Sequence, residues 1–138
     1  YDENYPYNKD KNCYKYTESL YTAFIEAFSY LPISAILNET TFCIHGGLSP
    51  KLENLNCLNT LINRPVHNFE DSPLLTEVVW SDPSPSANRL FDINPRGNGF
   101  LFNKTAVADF LRENSFNRMV RAHQYAANGS IKNLAISA

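Results

Sequence analysis

The chain has 138 residues, 43% of them hydrophobic and 19% charged, with a formal net charge of −2 at pH 7. Such a composition is globular and excludes a disordered polar chain. The near-neutral balance, with scattered lysines and arginines, gives no general attraction to nucleic acid or to an anionic membrane, and no apolar run approaches the ~20 residues that span a bilayer.

The opening stretch, YDENYPYNKDKN, is polar, has no signal-peptide pattern and reads as loop or frayed helix start. Over residues 17–31, Leu20, Phe24, Phe28 and Leu31 recur at helical spacing, with Tyr21 and Ile25 widening the stripe. The spacing predicts an amphipathic helix ended by Pro32. Residues 33–37 (ISAIL) and 41–45 (TFCIH) read as a β-hairpin across the polar turn NET. Residues 49–65 read as loop plus a short helix carrying Leu52, Leu55, Leu58 and Leu61, closed by Arg64 and Pro65, with loop over 66–75.

The segment TEVVWSDP reads as a strand or helix ending at Trp80, itself most simply a core residue. Residues 81–99 form a long Pro/Gly/Ser/Asn segment, and loops of that length in compact domains are usually functional. Residues 103–114 read as a helix with Val107, Phe110 and Leu111 on one face. A strand over 118–123, a turn at 128–130 and a last strand over 131–137 complete the order. The mixture predicts an α/β (α+β layered) architecture, sheet covered by helices.

Three cysteines cannot all pair with one another and show no CxxC spacing. They read as reduced thiols of a cytoplasmic or nuclear protein. The sharper pattern is two strands that each end in a histidine, His45 and His123. Imidazoles at strand ends can converge on a shared ion above the sheet edge, and Gly46 and Gly47 let the backbone turn sharply. A satisfied core or surface histidine is the alternative, and His67, in a polar loop, reads as plain surface. Arg96, in NPRGNG, is either a solvated loop arginine or a planar fork for phosphate oxygens. Asp82, in WSDP, is either an Asx-turn former or a group that orients a ligand or an arginine.

Taken in order, LPISAI, FCIHGGLSP, VVWSDPSPS, NPRGNGFLF and RAHQ resemble the phosphoprotein phosphatase family. These are the dimetal serine/threonine protein phosphatases of the calcineurin-like metallophosphoesterase superfamily. YDEN at the start is similar to that family's YDE segment, and AISA at the end to the beginning of its SAPNY motif. The resemblance implies hydrolysis of phosphoserine and phosphothreonine by metal-activated water, with two divalent ions (Mn, or Fe and Zn). It implies phosphoprotein substrates and regulatory subunits. It also implies His45 and His123 as ligands of one metal, Arg96 as the phosphate-binding arginine, and Asp82 as support for the active-site network.

The family's GDxHG, GDxVDRG and GNHE motifs are absent from these residues, and with them the remaining metal ligands, a second arginine and the general-acid histidine. Between RAHQ and the terminal SA the chain is shorter than the family pattern. With no initial Met and an end inside an apolar run, residues 1–138 read as the C-terminal half of a catalytic domain, half of a two-sheet β-sandwich flanked by helices. Two histidines fall short of the three protein ligands of a catalytic centre, so the chain alone is expected to be inactive. Half a sandwich is also expected to leave an apolar face bare. A shortened pseudophosphatase that binds proteins or phosphopeptides is the alternative.

Overall fold

The computed structural model describes residues 11–129. The YDE-like opening and the last strand expected over 131–137 lie outside the described residues. In chain order the elements are α1 (Lys11–Ser29), β1 (Ser34–Leu37), β2 (Thr41–Ile44), α2 (Asn56–Thr60), a 3-10 turn (Phe69–Asp71), α3 (Pro73–Trp80), β3 (Asp82–Pro83), β4 (Phe91–Ile93), β5 (Phe100–Phe102), α4 (Lys104–Glu113) and β6 (Arg118–Arg121). Among the described residues no helix is long and apolar enough to cross a membrane.

Among the described residues the strands form two three-stranded mixed sheets, ordered β1-β2-β6 and β3-β5-β4. In the first, β1 and β2 make the expected antiparallel hairpin, and Asn38 and Glu39 take positive φ at its turn. β6 joins β2 in parallel, with Phe42 opposite Met119 and Ile44 opposite Arg121. The pairing runs on one step, where the Ala122 amide donates to the His45 carbonyl at 3.0 Å. The two histidine-bearing strand ends therefore finish side by side.

The second sheet occupies ground that the sequence reads as one long loop. β3 and β4 lie inside residues 81–99 and flank β5. They have two and three residues, too few for period-2 alternation to show. The segment before Trp80 is helix, and it begins at Pro73, inside the expected loop 66–75. Its start is chemically ordinary: Ser72 Oγ accepts from the Leu75 amide at 3.3 Å, and Pro73 sits where no helical N–H is needed. Asn103 caps α4 in the same way, accepting from the Ala106 amide at 3.0 Å.

One core joins these parts. Phe42 and Ile44 of β2 and Phe102 of β5 meet Leu74, Leu75 and Val78 of α3 and Val107, Phe110 and Leu111 of α4. The Phe42 ring lies 5.1 Å from Phe110 and stacks on Phe116 at 5.7 Å, centroid to centroid. Among the described side chains, those of α1 take no part in it. The stripe that made the helix legible, Leu20, Phe24, Ile25, Phe28 and Leu31, is 46–59% exposed. The other face of the first sheet is open as well: Ala35, Cys43 and Val120 lie side by side on it, and Val120 is exposed.

Candidate functional site

The two parallel strand ends bring His45 and His123 together. His45 Nε2 lies 3.1 Å from His123 Nδ1, across 78 positions of sequence. The chain turns hard behind each ring. The Gly46 and Gly47 amides both donate to the Val78 carbonyl, at 3.1 and 2.9 Å. A Cβ on Gly46 would stand 2.3 Å from the Val79 carbonyl oxygen, so this turn needs glycine. His123 itself has φ +59, the left-handed region that L residues seldom occupy. Strain of this kind gathers at functional sites.

Arg96 reaches the pair from the β4–β5 connection. Its Nη1 donates to His123 Nε2 at 2.8 Å and to Asp82 Oδ2 at 3.1 Å. Its guanidinium carbon lies 5.2 Å from the Trp80 ring centroid, within cation–π range. Trp80 is half-buried rather than core, and its ring meets His123 edge-on at 5.5 Å. Asn94 shapes the loop from below. Its buried side chain donates to the Trp80 carbonyl, contacts Asp82 Oδ2 at 3.4 Å, and accepts from the Arg96 amide at 3.0 Å.

Asp82 anchors the cluster, with a side chain only 3% exposed. Burial pushes its carboxyl pKa up, but hydrogen bonds from Arg121, Arg96 and Asn94 outweigh it and hold the group below the usual carboxylate range. Of the two readings of Asp82, the geometry is that of a residue orienting arginines. Burial draws the His123 pKa down, aided by the charges of Arg96 and Arg121 against a partial offset from Asp82. The neutral ring has an assignable tautomer. Arginine only donates, so His123 Nε2 accepts and the ring proton sits on Nδ1, facing His45 Nε2.

Arg121 and Asn94 belong to this cluster too; they stand inside RAHQ and NPRGNG, where the resemblance assigns roles only to His123 and Arg96. Arg121 left a signal. It shares the packed face of β6 with Met119, two residues before it, where a charge must find partners. His67 is elsewhere, exposed and 3.8 Å from Glu26.

The histidine pair suits a shared cation on geometric grounds. Bonds of about 2.0–2.1 Å, at right or tetrahedral angles, put two nitrogens roughly 2.9–3.4 Å apart. Among the described residues, no group of three or more His, Cys, Asp or Glu gathers in ligating reach. What the described residues bring together is two imidazole nitrogens with an arginine beside them.

A family model described as calcineurin-like phosphoesterase matches residues 1–126. The chain is 37% identical over 106 residues to a Schizosaccharomyces pombe protein assigned to the serine/threonine-protein phosphatases, covering 77% of this chain and 34% of that protein. It is 38% identical over 104 residues to the serine/threonine-protein phosphatase 4 catalytic subunit of Kluyveromyces lactis, covering 75% of this chain and 32% of that one. Its fold is similar to that of a protein serine/threonine phosphatase from Saccharomyces cerevisiae with similarity to human phosphatase PP5. The TM-score is 0.65 at 26% identity, over 88% of this chain and 37% of the other. The chain thus spans about a third of the length of the relatives it matches.

Proposed function

This chain belongs to the calcineurin-like phosphoesterase family, and from that premise we propose that it forms part of a protein serine/threonine phosphatase, acting on phosphoserine and phosphothreonine in phosphoproteins. One observation carries the reading. Residues from three separate motifs, His45, Arg96 and His123, are linked by contacts of 2.8 and 3.1 Å. The names of the relatives support the same reaction class.

His45 Nε2 and His123 Nδ1 would hold one divalent ion, with further ligands from outside the described residues. Ions so held would supply Lewis-acid activation of water and of the phosphoryl oxygens. Arg96 binds the phosphate through its fork, and Asp82 keeps that fork aimed. With His123 Nδ1 as a ligand the ring proton would sit on Nε2, so Arg96 Nη1 would lose that acceptor, keep Asp82, and have an N–H to offer a phosphate oxygen.

The test is hydrolysis of a phosphothreonine peptide in Mn2+, by the natural full-length protein and by the 138-residue chain. We expect activity in the former and none in the latter, where two nitrogens fall short of a catalytic ligand set. Arg96→Ala should lower kcat/KM by roughly 100-fold or more, as loss of a transition-state donor does. Full activity of Arg96→Ala or His123→Ala would sink the reading. The shortened segment between RAHQ and the terminal SA supports a second reading, a phosphopeptide-binding module without turnover. It predicts Arg96-dependent binding of the same peptide with no release of phosphate by the full-length protein. The Kluyveromyces lactis relative is named a catalytic subunit, which supports regulatory partners for this chain too.

A further inference from the structure

We propose that Arg121 is the positioning residue that sets the His45–His123 spacing by bolting together the three chain segments that carry the site. The inference rests on the reading of those histidines as metal ligands.

Its guanidinium spends its donors on four acceptors. Nε donates to the Gly46 carbonyl at 2.6 Å, and Nη1 to Gln124 Oε1 at 2.7 Å. Nη2 donates to the Ser81 carbonyl at 3.1 Å and to Asp82 Oδ1 at 2.8 Å. Gly46 follows His45, and Gln124 follows His123. Ser81 and Asp82 lead away from Trp80, and Asp82 grips Arg96. One planar group therefore joins the segments that deliver both imidazoles and the phosphate-binding arginine.

The join falls where the sheet stops. Between β2 and β6 the last bond is that from the Ala122 amide to the His45 carbonyl. One residue further along, the Arg121 side chain takes over from the backbone, with Nε on the Gly46 carbonyl. Its side chain is 11% exposed, so it acts through its neighbours and does not touch substrate. Lysine could keep a charge beside Asp82 but has no planar fork to span Gly46, Ser81 and Gln124 together.

The experiment is Co2+ titration of the full-length protein, read by visible absorption, alongside near-UV circular dichroism and the thermal midpoint. Wild type should show a Co2+ spectrum that His45→Ala removes. Arg121→Lys should weaken Co2+ binding roughly tenfold or more, in line with the loss of an orienting partner, and change the band shape. Gln124→Ala, at an exposed position, should fold normally and weaken binding about threefold, a fraction of that effect. A purely structural arginine would lower the midpoint and leave the affinity and spectrum of the folded protein alone. If Arg121→Lys binds as wild type does, the inference fails by itself. If Arg121→Lys does not fold, Gln124→Ala decides, and wild-type affinity there overturns the inference. A wild type with no His45-dependent spectrum overturns the ligand reading, and the inference with it.

Discussion

Asp82 and Arg96 are bound at 3.1 Å, and Asp82 turns its second oxygen to Arg121 at 2.8 Å. One carboxylate, nearly closed to water, thus balances two cations. Removing the charge of a buried pair costs more than the pair is worth, because the partner stays behind uncompensated. Asp82→Asn should therefore destabilise the fold by about 3 kcal/mol, the low end for such a loss, since Arg96 is partly exposed and can rehydrate. Urea denaturation at pH 7 measures it. A shift under ~0.5 kcal/mol, the size of an ordinary surface change, would show that the pair is not holding the structure.

The same carboxylate gives a pH signature. Its folded pKa lies below the ordinary value, so on acidification the unfolded chain takes up its proton first. The contribution is complete above roughly pH 4, the unfolded carboxyl value, and is lost as pH falls from there through the depressed folded pKa. Thermal midpoints between pH 2 and pH 7 should fall on the acid side in wild type. In Asp82→Asn that fall should be shallower. Identical acid slopes in the two proteins would contradict the assignment.

The glycine turn behind His45 is a third point of test. In Gly46→Ala the new methyl would meet the Val79 and Val78 carbonyl oxygens at 2.3 and 2.5 Å, both of them backbone. Helix α3 must move to make room. We expect a loss of about 2 kcal/mol, within the range for overpacking, and chemical-shift changes at the His45 ring in NMR spectra. An unchanged unfolding curve would mean that the turn relaxes freely.

Helix α1 carries the fourth. Phe24 and Phe28 stand 5.7 Å apart, centroid to centroid, and both are more than half exposed. Bare apolar stripes of this size drive association. The 138-residue chain should associate as its concentration rises, and the double substitution Phe24→Glu, Phe28→Glu should return it to a monomer at equal loading. Light scattering decides. A wild-type chain that stays monomeric would show that the stripe is not sticky.

Much of this protein follows from local order along the chain. The helical spacing from Leu20 to Leu31, the hairpin around Asn38, and the capped run after Asn103 are set by neighbours three or four residues apart, so they are legible in sequence. The motifs around His45, Asp82, Arg96 and His123 named the residue types and implied their chemistry. Tertiary structure decided the rest. Only the parallel pairing of β2 with β6 brings two histidines 78 positions apart to 3.1 Å. β3 and β4 exist because β5 lies between them, not because two or three residues prefer to be strand. Arg121 and Asn94 stand inside RAHQ and NPRGNG, but they matter through acceptors on distant segments, which the motifs do not name. Whether an amphipathic stripe is buried depends on what the fold sets against it, and here α1 keeps its stripe exposed.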